Sequence, residues 1–150
     1  MTDAATVQHI LNSTIQSLTS VIPIQFDVLA PSLTTQPYEQ KELSVLIALL
    51  GDVRGRLIID TNEGTVSRIG EAMFGMKIEG EMIESFTGEL GNMVAGNLCT
   101  LLEKDSLTLD ISPPTVLTGE TKFYGFSQAF KLPLRFADVS PTNVLLTIDV

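Results

Sequence analysis

Val7, Ile10, Leu11, Ile15 and Leu18 follow one another at steps of 3, 1, 4 and 3. On a helix turning about 100° per residue these positions share one face. Thr2 or Asp3 offers a capping oxygen ahead of it, and Pro23 stops it. The pattern then changes. Ile24–Leu29 reads as a strand closed by Pro31, and residues 32–42, polar and broken by Pro37, read as a loop or a poorly paired edge. Leu43–Leu50 and Arg56–Asp60 are β-prone runs around Gly51-Asp52-Val53-Arg54-Gly55, which predicts a hairpin. Asn62 caps a second helix carrying Val66, Ile69, Met73 and Phe74, with Gly75 as its C-terminal stop. A third helix, about residues 80–104, is the longest element. Beyond it the spacing predicts strands at Leu107–Ile111, Phe126–Phe136 and Val144–Val150, with a break at Pro113-Pro114 and a turn at Ser140-Pro141.

The resulting order is α-β-β-β-α-α-β-β-β. Hairpins dominate and the helices are grouped, which favours an α+β fold: two layers, a mostly antiparallel or mixed sheet with helices packed on one face. Residues 1–150 read as one domain, with no linker, low-complexity segment or repeated motif.

The third helix has the least ordinary pattern. Met82, Phe86, Leu90, Met93, Asn97 and Leu101 run at steps of 4, 4, 3, 4 and 4, and predict the stripe facing the core. Ser85, Glu89, Asn92, Gly96 and Cys99 line a second face, on which Glu89 and Asn92 are i,i+3 neighbours. Gly88, Gly91 and Gly96 interrupt the same helix. Each costs about 1 kcal/mol relative to Ala, against a total stability of about 5–15 kcal/mol. A helix accepts that cost where another body must approach its backbone: a helix, a strand or a partner protein.

Composition narrows the chemistry. Nine Lys+Arg against 18 Asp+Glu leave a net charge of −9, which argues against nucleic acid or an anionic membrane as the main partner. One Cys and one His exclude an intramolecular disulfide and a Cys/His zinc quartet. The N-terminus lacks a basic region followed by an apolar one, and the longest apolar run, Leu43–Leu50, is far short of a membrane span. A cytoplasmic protein is the expectation.

A Glu–Asn pair on a helix face is ordinarily solvated surface. It has no strong nucleophile and no His base. A carboxamide both donates and accepts, however, so Asn can hold a water in one orientation, and Glu can bind a metal or a partner's Lys. Positioning of that kind matters most in reactions such as phosphoryl transfer. Around the pair, Asn97 is expected to hydrogen-bond within the fold, Cys99 to be a small buried hydrophobe, and His9 to lie at the surface. Pro113-Pro114 either breaks a strand or shapes the site.

The run Ser85-x3-Glu89-x2-Asn92, followed by Ala95-Gly96 and then Pro113-Pro114-Thr115-Val116 with Gly119, resembles the CheX branch of the CheC/CheX/FliY phosphatases of bacterial chemotaxis. The family signature is Asp or Ser, three residues, Glu, two residues, Asn, and a Pro some twenty residues later; Pro114 lies 22 positions after Asn92. The resemblance implies a CheC-like fold and hydrolysis of the aspartyl phosphate on a CheY-type response regulator. Asn92 would orient the attacking water and Glu89 would pair with the receiver's active-site Lys. The receiver would supply Mg²⁺, so the chain would need no cofactor or metal of its own. Ser85, Pro114 and the glycines Gly88, Gly91 and Gly96 would support the site, the glycines by letting the helix slide against the receiver. CheC-type relatives carry the Glu-x-x-Asn motif twice. Here the second helix reads Glu63-Gly64-Thr65-Val66 and Glu71-Ala72-Met73-Phe74, with no Asn, which fits CheX. A homodimer joined through the sheets is also implied. The competing expectation is a non-catalytic adaptor that binds a receiver or a flagellar switch protein through the same helix.

Overall fold

The computed structural model describes residues 3–149, so Thr2 as a cap and the final Val150 lie outside the described residues. Helix α1 (Ala4–Val21) starts where the Asp3 carboxylate accepts the Thr6 N–H at 2.8 Å. Short strands β1 (Phe26–Val28), β2 (Ser32–Thr35) and β3 (Tyr38–Gln40) lead into the long hairpin β4 (Leu43–Gly51) and β5 (Gly55–Thr61). Helix α2 (Glu63–Phe74) is capped by Asn62, whose side chain accepts from the Thr65 N–H at 2.8 Å, and ends on Gly75 at φ 70°, a left-handed conformation that glycine adopts without strain. Helix α3 (Glu81–Glu103) follows, then β6 (Leu109–Ile111), β7 (Thr115–Thr118), β8 (Thr121–Phe123), β9 (Gln128–Phe136) and β10 (Thr142–Ile148).

The fold is α+β, as the hairpin-rich order predicts. One antiparallel sheet runs β1-β9-β10-β5-β4-β6, with β2 continuing β1 along β9 and β7 continuing β6 along β4. Its inner face carries Val45, Ile47, Leu57, Leu132, Leu134, Val144 and Leu146, buried under α1, α2 and α3. The outer face is covered in part by a ribbon of β3 and β8, where Tyr38 and Phe123 close over Ile58, Ala129 and Leu145.

Strands β2, β3, β7 and β8 are missing from the sequence-based order. Part of the 32–42 segment is therefore paired, and β1 is shorter than Ile24–Leu29. Each of the four missed strands has three or four residues and few apolar positions; β2, β3 and β7 directly follow Pro31, Pro37 and Pro114, and β8 follows Gly119. Alternation over so short a length gives no usable period.

The register reveals a duplication. Phe26 pairs with Phe136 as Leu109 pairs with Gly51; Ser32 with Lys131 as Thr115 with Leu46; Tyr38 with Phe123 as Thr121 with Gln40. In the centre, Asp60 pairs with Asn143 as Arg56 pairs with Thr147. The six elements before α2, α1 and β1–β5, thus recur in order as α3 and β6–β10, 83 residues on at 26→109, 32→115 and 38→121. The sequence reading found no repeat because the halves share strand parity and length, whereas β4 reads LSVLIALLG and β9 QAFKLPLRF.

Candidate active site on the third helix

Helix α3 buries Ile83, Phe86, Thr87, Gly88, Leu90, Gly91, Val94, Ala95, Leu98 and Leu102. The expected core stripe is therefore rotated. Of its members Phe86 and Leu90 are buried, Asn97 and Leu101 are half-buried, and Met82 and Met93 stand 43% and 37% exposed. The small residues Thr87, Gly88, Gly91 and Ala95 carry little hydrophobic signal, yet all four are buried.

Gly91 shows why. A Cβ there would lie 2.7 Å from both methyl carbons of Val45 and 3.3 Å from Ile47 Cδ1. At Gly88 a Cβ would meet Val116 Cγ2 at 3.3 Å and Pro114 Cγ at 3.8 Å. These two glycines seat the helix on its own sheet, through β4 and β7, which corrects the expectation that they clear space for a partner. Only Gly96, with nothing within 4 Å of its would-be Cβ, is open to one.

The motif occupies the opposite arc. Ser85 and Glu89 are exposed, and Asn92 and Gly96 are half-buried. Among the described residues the side chains of Glu89 and Asn92 take part in no hydrogen bond or ion pair within 4.0 Å, so both are available to an incoming body. Pro114, exposed at the start of β7, stands over the helix at Gly88, one residue before Glu89. Ser112 fixes this corner, since its hydroxyl oxygen accepts the Ala48 N–H at 2.8 Å and its N–H donates to the Ala48 carbonyl.

An open hollow of about 790 Å³ adjoins the motif, lined by Phe74, Met76, Ile78, Glu81, Met82, Ser85, Phe86 and Glu89. Phe74 meets Phe86 edge-on, with centroids 5.5 Å apart. Sequence reasoning missed this surface. Phe74 and Met76 straddle the left-handed Gly75, where helical periodicity no longer says which way a side chain faces.

The remaining candidates take other roles. Asn97 is half-buried, not a core amide. Cys99 packs against the core, and burial followed by the nearby Asp110 carboxylate pushes its thiol pKa up. His9 is half-buried, with its Nε2 2.9 Å from an oxygen of Asp105, two residues past the end of α3. The second-motif comparison also changes. By its place ahead of the repeated strands the counterpart of α3 is α1, not α2, and Pro31 before β2 matches Pro114 before β7. Helix α1 contains no Glu, so the Glu-x-x-Asn motif occurs on α3 alone. Among the described residues no three His, Cys, Asp or Glu side chains gather as metal ligands, and no helix is long and apolar enough to cross a membrane.

Fold and helix together define a CheC-like α+β protein: a CheC-like superfamily protein from Shewanella sp. PV-4, 22% identical, superposes with a TM-score of 0.80 over 99% of this chain and all of that one. The model of the family described as chemotaxis phosphatase CheX matches residues 43–124, and the CheY-P phosphatase CheX of Thermotoga maritima is 32% identical over 136 residues, 88% of each chain. The chain belongs to the CheX family. A chain of the CheX–CheY–BeF3–Mg²⁺ complex from Borrelia burgdorferi, 24% identical, has the same fold, with a TM-score of 0.78 over 96% of this chain and 97% of that one.

Proposed function

We propose that this protein dephosphorylates a CheY-type response regulator, with Asn92 orienting the attacking water and Glu89 pairing with the receiver's active-site lysine. The supporting observation is the placement of Ser85, Glu89 and Asn92 on the solvent-facing arc of α3, in a chain of the CheX family. Helix geometry sets Glu89 and Asn92 about one turn apart on the same side. A receiver whose lysine reaches Glu89 therefore has its phosphoryl group near Asn92. The carboxamide accepts a hydrogen bond from the water and donates one toward the phosphoryl oxygens, so the water approaches in line with the bond that breaks. Mg²⁺ belongs to the receiver, whose carboxylates hold it beside the phosphoryl group. Pro114 and Gly91 set the height of the helix over the sheet, and so the reach of Asn92. A cytoplasmic homodimer joined through its sheets completes this reading, and sedimentation tests the dimer.

The test is decay of a phosphorylated receiver with and without the protein. Asn92→Ala is expected to lower the acceleration about a hundredfold or more while leaving binding nearly intact, because it removes only positioning. Glu89→Ala should weaken both, with binding down roughly 10- to 100-fold for a lost charge-assisted contact of about 1.5–3 kcal/mol. Acceleration by both variants equal to that of the wild type overturns the assignment.

A further inference from the structure

We propose that the apolar hollow beside Glu89 is the second foothold of the receiver, seating an apolar side chain of the receiver's surface while its active-site lysine meets Glu89. This rests on the reading that the Glu89–Asn92 face meets a receiver, and it names the surface that supplies affinity for that encounter.

Continuity is the first argument. Ser85 and Glu89 belong to the motif face and also line the hollow. A body that brings a cation to Glu89 and a reacting group to Asn92 has its flank over the hollow. Composition is the second. Phe74 is 58% exposed, Met76 54% and Met82 43%, and all three converge on one depression with Phe86 packed beneath. Single exposed hydrophobes are ordinary, whereas a gathered patch beside an open polar pair marks an interaction surface. Methionines suit it, because their flexible thioethers mould to a partner.

Charge selects the occupant. Glu81 and Glu89 stand on the rim, and among the described residues neither has a cation within 4 Å. The matching surface is apolar at its centre and cationic at its edge, and a receiver whose active-site lysine pairs with Glu89 brings the cation to that edge. A second copy of this chain fits poorly. A two-fold contact centred here would set one acidic rim against another. An anionic lipid surface meets the same repulsion.

The experiment compares the wild type, Met76→Lys and the double variant Met76→Lys/Met82→Lys in steady-state dephosphorylation of a CheY-type receiver, alongside binding of the beryllofluoride-loaded receiver. Leu33→Lys, at a 56% exposed position on β2, is the control. Both positions altered in the double variant are solvent-exposed, and Met76→Lys alone changes only a loop residue. The double variant is expected to raise KM at least tenfold with kcat within twofold of wild type, and Leu33→Lys to change neither. Folded variants with wild-type KM, or a shift that Leu33→Lys reproduces, overturn the inference while the Asn92 reading stands. A wild type that binds the loaded receiver without accelerating decay, with binding lost in the double variant, supports the hollow and overturns the hydrolytic reading. Altered sedimenting mass in the lysine variants assigns the hollow to a second copy and overturns the inference.

Discussion

At the scale of single residues, the proposed roles of Asn92 and Glu89 differ, and two conservative changes at Asn92 test its part. Asn92→Gln keeps the carboxamide but sets it one methylene further out. Misplacement of about 1 Å costs on the order of a hundredfold in rate, so this variant should bind normally and accelerate poorly. Asn92→Asp keeps the shape but replaces a donor with a carboxylate facing a phosphoryl anion, and should lose both rate and binding. Single-turnover decay at saturating protein distinguishes the two. Normal acceleration by Asn92→Gln would remove the positioning argument. Elsewhere, the Tyr38 hydroxyl donates to Asp60 Oδ2 at 2.5 Å beneath the β3–β8 ribbon. Burial is the largest effect on both groups. It holds Asp60 above its usual value of 3.8, against the opposing pull of the Tyr38 hydrogen bond and Lys131, and it raises Tyr38 as well. A raised carboxyl destabilises the fold only when ionised: nothing is lost below the unfolded value, and the loss grows as pH rises through the folded one. Asp60→Asn should therefore gain in stability relative to wild type between about pH 4 and pH 7. Urea midpoints at the two pH values test this, and a constant difference refutes it.

Helix α3 shows what an element adds to its residues. Gly91 and Gly96 look alike in sequence and predict opposite outcomes. Gly96→Ala removes the entropic cost of a helical glycine and meets no neighbour, so it should stabilise by about 0.5–1 kcal/mol. Gly91→Ala makes the same local gain but drives a methyl into both Val45 methyl carbons, and overpacking of that kind costs about 1–3 kcal/mol. It should be neutral to destabilising, should lift the helix, and should be relieved by Val45→Ala. Thermal melts of the two single variants and the Gly91→Ala/Val45→Ala pair decide it. Glu89 and Asn92 were legible in the sequence because their meaning lies in a fixed spacing on one helix. The buried face was not. Its closest approaches to the sheet are made at Gly88 and Gly91, whose value depends on Val45, Ile47 and Val116 coming from strands distant in sequence. Counting hydrophobic positions rewards Met82 and Met93, which face outward.

The whole molecule is a duplicated frame used unequally. The sheet register repeats from one half to the other, and prolines sit at matching breaks, Pro31 and Pro114, so α1 and α3 occupy equivalent places. Pattern alone suffices for the α+β class, since long hairpins and amphipathic helices announce themselves. The two-fold relation is carried by hydrogen-bond register and strand parity, which different side chains satisfy equally well, so it emerges only in three dimensions. What breaks the symmetry is chemical. Where α3 has Gly88, Glu89, Gly91 and Asn92, α1 has no Glu and no Gly anywhere along its length, and His9 lies against Asp105. Under the proposed mechanism α1 therefore lacks the carboxylate that would meet the receiver's lysine, and it lacks glycines like those that seat α3 close to the sheet. One receiver should bind per protomer. Calorimetric titration of the beryllofluoride-loaded receiver into the protein should reach a stoichiometry of about one, and Glu89→Ala/Asn92→Ala should abolish acceleration while weakening binding about as far as Glu89→Ala alone, leaving nothing for α1 to contribute. Two receivers per protomer, or residual acceleration in the double variant, would mean that the degenerate half still works and that α1 takes part in recognition.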